Sequence, residues 1–482
     1  MTVDSPIHPR LWAVTLPAVR AARDALVAYA ADNFVPRTEV RVFKVNDAGW
    51  PAVVDGGRLS TSRDDPINWR RGLSLRPGEL SYVVVDDVPE LATALGVVRA
   101  MAEEDEAFGS SIDPLYGGRA EGRADDYLGH SYLSFVGSMI ERMESTGASE
   151  DSDLLAIYGQ LERARFATEL RGDLVVPITL TDFGTPGTIH LDEDVYLEQL
   201  TPETQCARAT DPLSNTNAYL VAAATHALVV RDITIDNSVF VNRLYGRFRG
   251  LHPIDDADMA KVDRLVQCVH FVSGRATGYN QVLVRPTDWS DGWHLDLPAV
   301  WEVETVQRFP TGSHRARWNE EREPLDADNV TAICAAYPRL SRAPKDVQLA
   351  ARRSVRAMMR TEDEDRTLDA AIGLEAILLK DNAELSFRMA IYASAALCNE
   401  YDAGLIYELS KKVYAHRSKI AHGQVDPKAE FEYDGQSWRT AEIAPFLLNA
   451  LLKSRLLSVP EWTKATIEQR VIDALNAFGG SA

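Results

Sequence analysis

The sequence is poor in several things, and each shortage excludes something. It has four cysteines in 482 residues, Cys206, Cys268, Cys334 and Cys398, none in a Cys-x-x-Cys pair. That excludes a disulfide frame or a zinc knuckle and fits reduced thiols in a cytoplasmic protein. No apolar run approaches the roughly 20 residues that span a bilayer, so no membrane segment is expected. The opening MTVDSPIHPRLWAV has no basic stretch leading into an apolar core, so no secretory signal is expected. There is no low-complexity tract and no internal repeat. Cations are also short: 51 Lys+Arg face 71 Asp+Glu, a net charge of -20. A surface of that sign repels nucleic acid at long range, which rules out a general nucleic-acid coat.

What remains is ordinary globular composition, 45% hydrophobic and 25% charged, with length enough for two or three domains. The charge is unevenly spread. Residues 342–482 hold 19 Lys+Arg and 20 Asp+Glu, leaving 32 and 51 for residues 1–341. Within the near-neutral part, Lys411, Lys412, Arg417 and Lys419 lie in a stretch to His422 without one acid. A local anion site is permitted there; a broad basic face is not.

Hydrophobic spacing divides the chain into a multidomain α+β protein. Residues 1–170 are helix-rich but mixed: LWAVTLPAVRAARDALVAYAADNF, PELATALGVVRAMAEEDEAF and DLLAIYGQLERARFATEL carry apolar residues three and four apart. EVRVFKV and LSYVVVDDV between them are strand-like, and LYGGRAEGRADDY reads as a loop. Residues 171–340 are β-rich, with LVVPITLTDF, GTIHLDEDVYLEQL, LVVRDITI and NQVLVRP as short β-branched runs. One helix, DADMAKVDRLVQCVHFV, interrupts them and stops at Gly274. DWSDGWHLDL and TGSHRARWNEEREPLDADN read as surface loops. Residues 341–482 are helical, with helices expected over 345–360, 366–379, 384–398, 405–421, 440–457 and 463–477, packed as an all-α antiparallel bundle.

VYAHRSKIAHGQ, residues 413–424, is the stretch that carries chemistry. Arg417 and His422 are five apart, about 140° of rotation on a helix, so they share a face only if the helix ends or loosens between them. Gly423 suggests an ending, with glycine at C′. There the negative end of the helix dipole favours imidazolium, suited to proton transfer, and Arg417 could grip a phosphate. The plainer alternative is that cations near a helix end simply stabilise it. The same spacing occurs at Arg247 and His252 in RFRGLHP, to which no role is assigned.

The ordered features of residues 342–460 resemble the HEPN superfamily, especially the ApeA-like HEPN domains of bacterial anti-phage defence proteins. They are AARRSVRAMMR followed by TEDEDR, then DAAIGLEAILLK with Glu375, ELSFRMAIYASAALC with Arg388, and LIYELSKKVYAHRSKIAHG ending in Arg417-x4-His422. The superfamily often has Asn, Asp or His after the arginine; here it is Ser418. The resemblance implies a metal-independent endoribonuclease without cofactor, formed when two such domains dimerise and bring both Arg/His pairs to one cleft. It implies RNA as substrate, tRNA among the candidates, and abortive-infection defence triggered by a phage product. The first 340 residues would then sense the trigger and hold the nuclease quiet, their acidic surface repelling RNA. The alternatives are a HEPN domain without catalysis that dimerises or binds a ligand, and the toxin of a toxin–antitoxin pair.

Supporting residues follow from the same stretch. Glu375 shares the apolar face of Leu368, Ile372 and Leu379, where Arg417 or Arg388 could neutralise it; a solvated rim position is the alternative. Glu384 and Arg388 are spaced for a local helix pair. His416 reads as solvated. Lys411, Lys412 and Lys419 could contact RNA phosphates or form a solvated face. Elsewhere, His190, Asp192 and Asp194 could share one face of a strand, but an acidic loop explains them as well, and no metal is expected. Gly274-Arg-Ala-Thr-Gly278 lacks the ending of a phosphate loop, and Cys268 and His270 read as core.

Overall fold

The computed structural model describes residues 5–33, 35, 43–45, 47, 49–53, 67–76, 83–113, 124–209, 223–238, 254–287, 289, 302–304, 308–310, 323–380, 384–424, 430–433 and 435–479. Two of the expected loops, LYGGRAEGRADDY and TGSHRARWNEEREPLDADN, lie largely outside these residues, as do most of DWSDGWHLDL and both Arg247 and His252.

The N-terminal region is built on helices α1 (Pro9–Asp32), α2 (Pro89–Glu104), α3 (Glu106–Ile112), α4 (Ala124–Thr146) and α5 (Asp151–Phe166), with short strand pairs β1 (Phe43–Val45) with β2 (Pro51–Val53) and β3 (Leu73–Ser74) with β4 (Val83–Val84). Pro9 fits the first turn of α1, where its missing N–H costs nothing. Leu11, Thr15, Ala18, Val19, Ala22 and Leu26 make the buried face, at the three- and four-residue spacing of the sequence. One expected helix over 89–108 is two, because the Asp105 carboxylate accepts from the Ala107 and Phe108 amides and starts α3 afresh. The apolar core here spans Leu11 to Leu161.

A second core runs from Leu170 to Ile467. Its sheet is six-stranded and antiparallel, in the order β10-β9-β5-β8-β7-β6. These strands are β5 (Glu169–Pro177), β6 (Ile189–His190), β7 (Val195–Gln199), β8 (His226–Asp236), β9 (Val282–Pro286) and β10 (Glu302–Glu304), with the short helix α6 (Pro202–Ala209) between β7 and β8. Leu174 opposes Val230 in the central pair and Val284 on the other side, so β5 is buried between two partners. Helix α7 (Asp256–Ser273) starts on Asp255, whose side chain accepts from the Ala257 amide, and ends at Gly274 with φ 68°, the left-handed cap expected there.

The remaining helices are α8 (Ala327–Arg342), α9 (Lys345–Met359), α10 (Asp363–Leu378), α11 (Leu385–Leu397), α12 (Ala403–Ala421), α13 (Thr440–Leu457) and α14 (Lys464–Gly479). A hairpin, β11 (Glu430–Tyr433) with β12 (Gln436–Arg439), interrupts them between α12 and α13. The whole is a helix-rich α+β protein with a small antiparallel sheet and a helical C-terminal half.

Between 340 and 341 the packing is continuous. Residues 343 and 344 form the turn from α8 to α9, and both helices line the core that the sheet lines. Helix α7, from the β-rich segment, packs on α9 and α13, and its Val262, Leu265 and Val269 are fully buried. The C-terminal helices are thus one half of a shared core rather than an isolated bundle. Across residue 167 the Asn237 side-chain amide donates to the Ala164 and Ala167 carbonyls at 3.1 and 2.7 Å, the Trp50 indole donates to Asp182 at 3.1 Å, and Trp50 also packs with Leu180, Ala223 and Phe309 in a small apolar cluster.

Candidate active site

Helix α12 begins at Asp402, whose carboxylate accepts the Leu405 amide at 2.7 Å. It ends with two capping hydrogen bonds: the Gly423 amide donates to the Ile420 carbonyl at 3.0 Å, the Gln424 amide to the Lys419 carbonyl at 2.9 Å. Gly423 takes φ 71°, a conformation that costs glycine little and other residues about 1 kcal/mol or more. His422 is the cap residue, exposed, its own amide reaching the Ser418 and Lys419 carbonyls at 3.2 and 3.1 Å.

This geometry answers the spacing question. The helix runs to Ala421 and His422 is its cap residue, with φ -97° and ψ 11°, so the ending suggested by Gly423 does fall between Arg417 and His422. His422 lies at the exposed end of the helix, and Arg417, more than a turn further in, is half-buried. Arg417 turns to α10, where its Nε lies 3.4 Å from Oε1 of Glu375. Of the two arginines weighed as partners for Glu375, Arg417 is the one in ion-pair distance. The side chains are 31% and 25% exposed, and Glu375 Oε1 accepts no hydrogen bond despite being buried. Such a pair contributes about 1 kcal/mol at most, while an unmet buried acceptor costs about 1–3 kcal/mol. The contact is loose, and stability is a poor reason for it.

The surrounding cations are differently engaged. Lys411 lies 3.8 Å from Glu408 and 5.2 Å above the Tyr407 ring; Lys412 lies 4.9 Å above the Phe431 ring of the hairpin. Both heads are exposed, as is Lys419, and Ser418 beside Arg417 is half-buried. Phe431 was missed from sequence because the hairpin was missed, although its Asp-Gly step between alternating runs is a turn signal. Arg388 sits over the Tyr392 ring at 5.5 Å on α11. His416 is buried, not solvated as expected: the residue before a face-turned arginine points into the bundle.

Outside this helix, Asp194 is ion-paired with Lys261 at 2.7 Å, and among the described residues no group of three His, Cys, Asp or Glu side chains is placed to hold a metal. Cys268 is fully buried, and burial pushes its thiol well above the usual range, which makes it inert packing. Compared with models of known protein families, with curated proteins and with solved structures, the chain matches none.

Proposed function

We propose that the chain is a metal-independent endoribonuclease of the HEPN type, active as a dimer in anti-phage, abortive-infection defence. The observation that carries this reading is the end of α12, where exposed His422 and loosely held Arg417 flank four residues of an acid-free segment. A loose ion pair leaves the guanidinium free to exchange Glu375 for a phosphate, which it grips by paired charge-assisted hydrogen bonds. The composite site takes Arg417 and His422 from both protomers of the dimer. The RNA 2′-hydroxyl attacks the adjacent phosphorus and the P–O5′ bond breaks. One imidazole takes the 2′-proton and another acid protonates the leaving 5′-oxygen. Arg417 neutralises charge growing on the phosphoryl oxygens. The products are a 2′,3′-cyclic phosphate and a 5′-hydroxyl, and DNA, without the 2′-hydroxyl, is spared. Lys411, Lys412 and Lys419 track the backbone; tRNA is one candidate substrate.

The second reading, a HEPN module without catalysis that dimerises or binds a ligand, is favoured by the engagement of Arg417 with Glu375 inside the chain. The deciding experiment incubates purified chain with total RNA plus chelator and maps the product ends. Cyclic-phosphate ends that disappear in both Arg417→Ala and His422→Ala, with the dimer intact, support the nuclease. Phage protection retained by His422→Ala points to the binding module.

A further inference from the structure

Away from α12, a cavity of about 620 Å³ opens between the end of α7 and the helices α9, α10 and α13. It belongs to the size class of small-molecule sites, 300–1,000 Å³, and is far larger than a bare phosphate needs. One part of its wall is aromatic: Phe446 packs edge-on against Tyr401, ring centroids 5.5 Å apart, and is backed by Trp438. The polar lining supplies donors. Arg366 reaches the Arg360 carbonyl at 3.4 Å through Nη2 and Asp363 only at 3.9 Å through Nη1, while its Nε is buried without a hydrogen-bond partner. Asp363 is itself taken by Arg439 at 2.5 Å. Half-buried Lys453 has no carboxylate in ion-pair distance among the described residues. The acid on the wall, Glu442, is turned to Arg439 at 3.4 Å.

The neutral groups are arranged to the same end. His270 Nδ1 lies 3.0 Å from the Arg275 carbonyl, which can only accept, so Nδ1 carries the proton and Nε2 accepts from the Asn449 amide at 3.4 Å. Ser354 donates to the Asn449 oxygen at 2.6 Å, which fixes the amide's orientation and leaves its second N–H unused by these partners. Two cations and an oriented amide, unbalanced by any free acid on the wall, lie beside the aromatic pair Phe446 and Tyr401. That combination suits an anion joined to an aromatic ring.

We propose that this cavity binds a nucleoside monophosphate, its phosphate held by Arg366 and Lys453 and its base against Phe446 and Tyr401. The site is independent of the nuclease reading. Calorimetric titration of the full chain with AMP, GMP, CMP and UMP in turn tests it, with inorganic phosphate and adenosine as separate arms. At least one nucleotide should bind at one site per chain and at least tenfold more tightly than phosphate or adenosine alone. Lys453→Ala and Arg366→Ala should each weaken it at least tenfold, and Phe446→Ala should reduce it towards the affinity of inorganic phosphate. Arg10→Ala, a distant surface change, and Arg417→Ala should leave it unaltered. Lys453→Ala guards against misfolding, since that ammonium has no ion-pair partner to lose among the described residues. The proposal is overturned if no nucleotide binds, if phosphate binds as tightly, if folded Lys453→Ala binds normally, or if Arg417→Ala abolishes binding and so moves the ligand to α12.

Discussion

Two carboxylates on α10, Asp369 and Glu375, are held in opposite ways. Asp369 is 4% exposed and is met from both sides, by Arg353 Nη1 at 2.5 Å and Arg360 Nε at 2.8 Å. Glu375, less than two turns on, has one partner at 3.4 Å and a buried oxygen without a hydrogen bond. The upstream acid is saturated and ties α9 to α10; the downstream acid is under-satisfied and faces the helix that carries Arg417. Short bonds close off Asp369, whereas Glu375 is only loosely held.

Substitutions at the two ends of α10 and across from it should separate along that line. The largest loss of stability is expected from Asp369→Ala, about 3 kcal/mol in urea unfolding, because two cations lose a buried counter-charge. An effect below about 1 kcal/mol would remove the contrast. At the other end, His422→Ala and Arg417→Ala should lower RNA cleavage about 100-fold or more while shifting stability by about 1 kcal/mol or less. Unchanged cleavage by either would leave Glu375 with no functional partner. Gly423→Ala should cost about 1 kcal/mol, measured by the same unfolding, since the left-handed cap that presents His422 resists a side chain. The smallest effect is expected from Glu375→Gln, within about 1 kcal/mol in stability, since a loose, partly solvated pair contributes little.

The contrast extends to histidine. His226 is 2% exposed, sits between Thr225 Oγ1 at 2.7 Å and the Thr185 carbonyl at 3.0 Å, and burial lowers its pKa below the usual value. The folded chain therefore resists a proton that the unfolded chain accepts near pH 6.5, so stability should fall as pH drops from about 6.5 through the folded value. His8 and His270 are lowered by burial too and should add to the same slope. Denaturation midpoints between pH 7.5 and 5.5 should show it, and His226→Gln should flatten it.

Much of the C-terminal half was readable. Helices expected over 405–421 and 440–457 are Ala403–Ala421 and Thr440–Leu457, because strong apolar spacing meets a glycine stop after the first and a proline soon after the second. Helix α4 was not read. Gly129 and Gly137 dilute its pattern, and they are there for tertiary reasons: a Cβ on Gly137 would come within 2.7 Å of the Arg70 backbone. Helix α8 contains Pro338 and follows a polar run, which hid it as well. At the site, spacing identified Arg417, His422 and Glu375 but not who faces whom. That the helix persists to Ala421 is decided by the two capping hydrogen bonds at its end, and packing against α10 decides where Arg417 turns. The shared core was invisible because the residues that bury α7 against α9 and α13 lie far apart in sequence.

That joining of sheet and helices determines where the chain can be divided. A fragment starting near 341 would bare the faces that α7 and α8 cover, and each side chain re-exposed as fully as Leu265 or Tyr337 forfeits about 1.5–3 kcal/mol. Such a fragment would misfold or aggregate, and its silence in a cleavage assay would say nothing about catalysis. A cut near 167 instead parts the two large apolar interiors, at the expense of links such as Trp50 to Asp182 and of the small cluster that Trp50 makes with Leu180, Ala223 and Phe309. Release of activity by that truncation, against its absence in the longer chain, is the workable measure of whether the N-terminal helices restrain the rest.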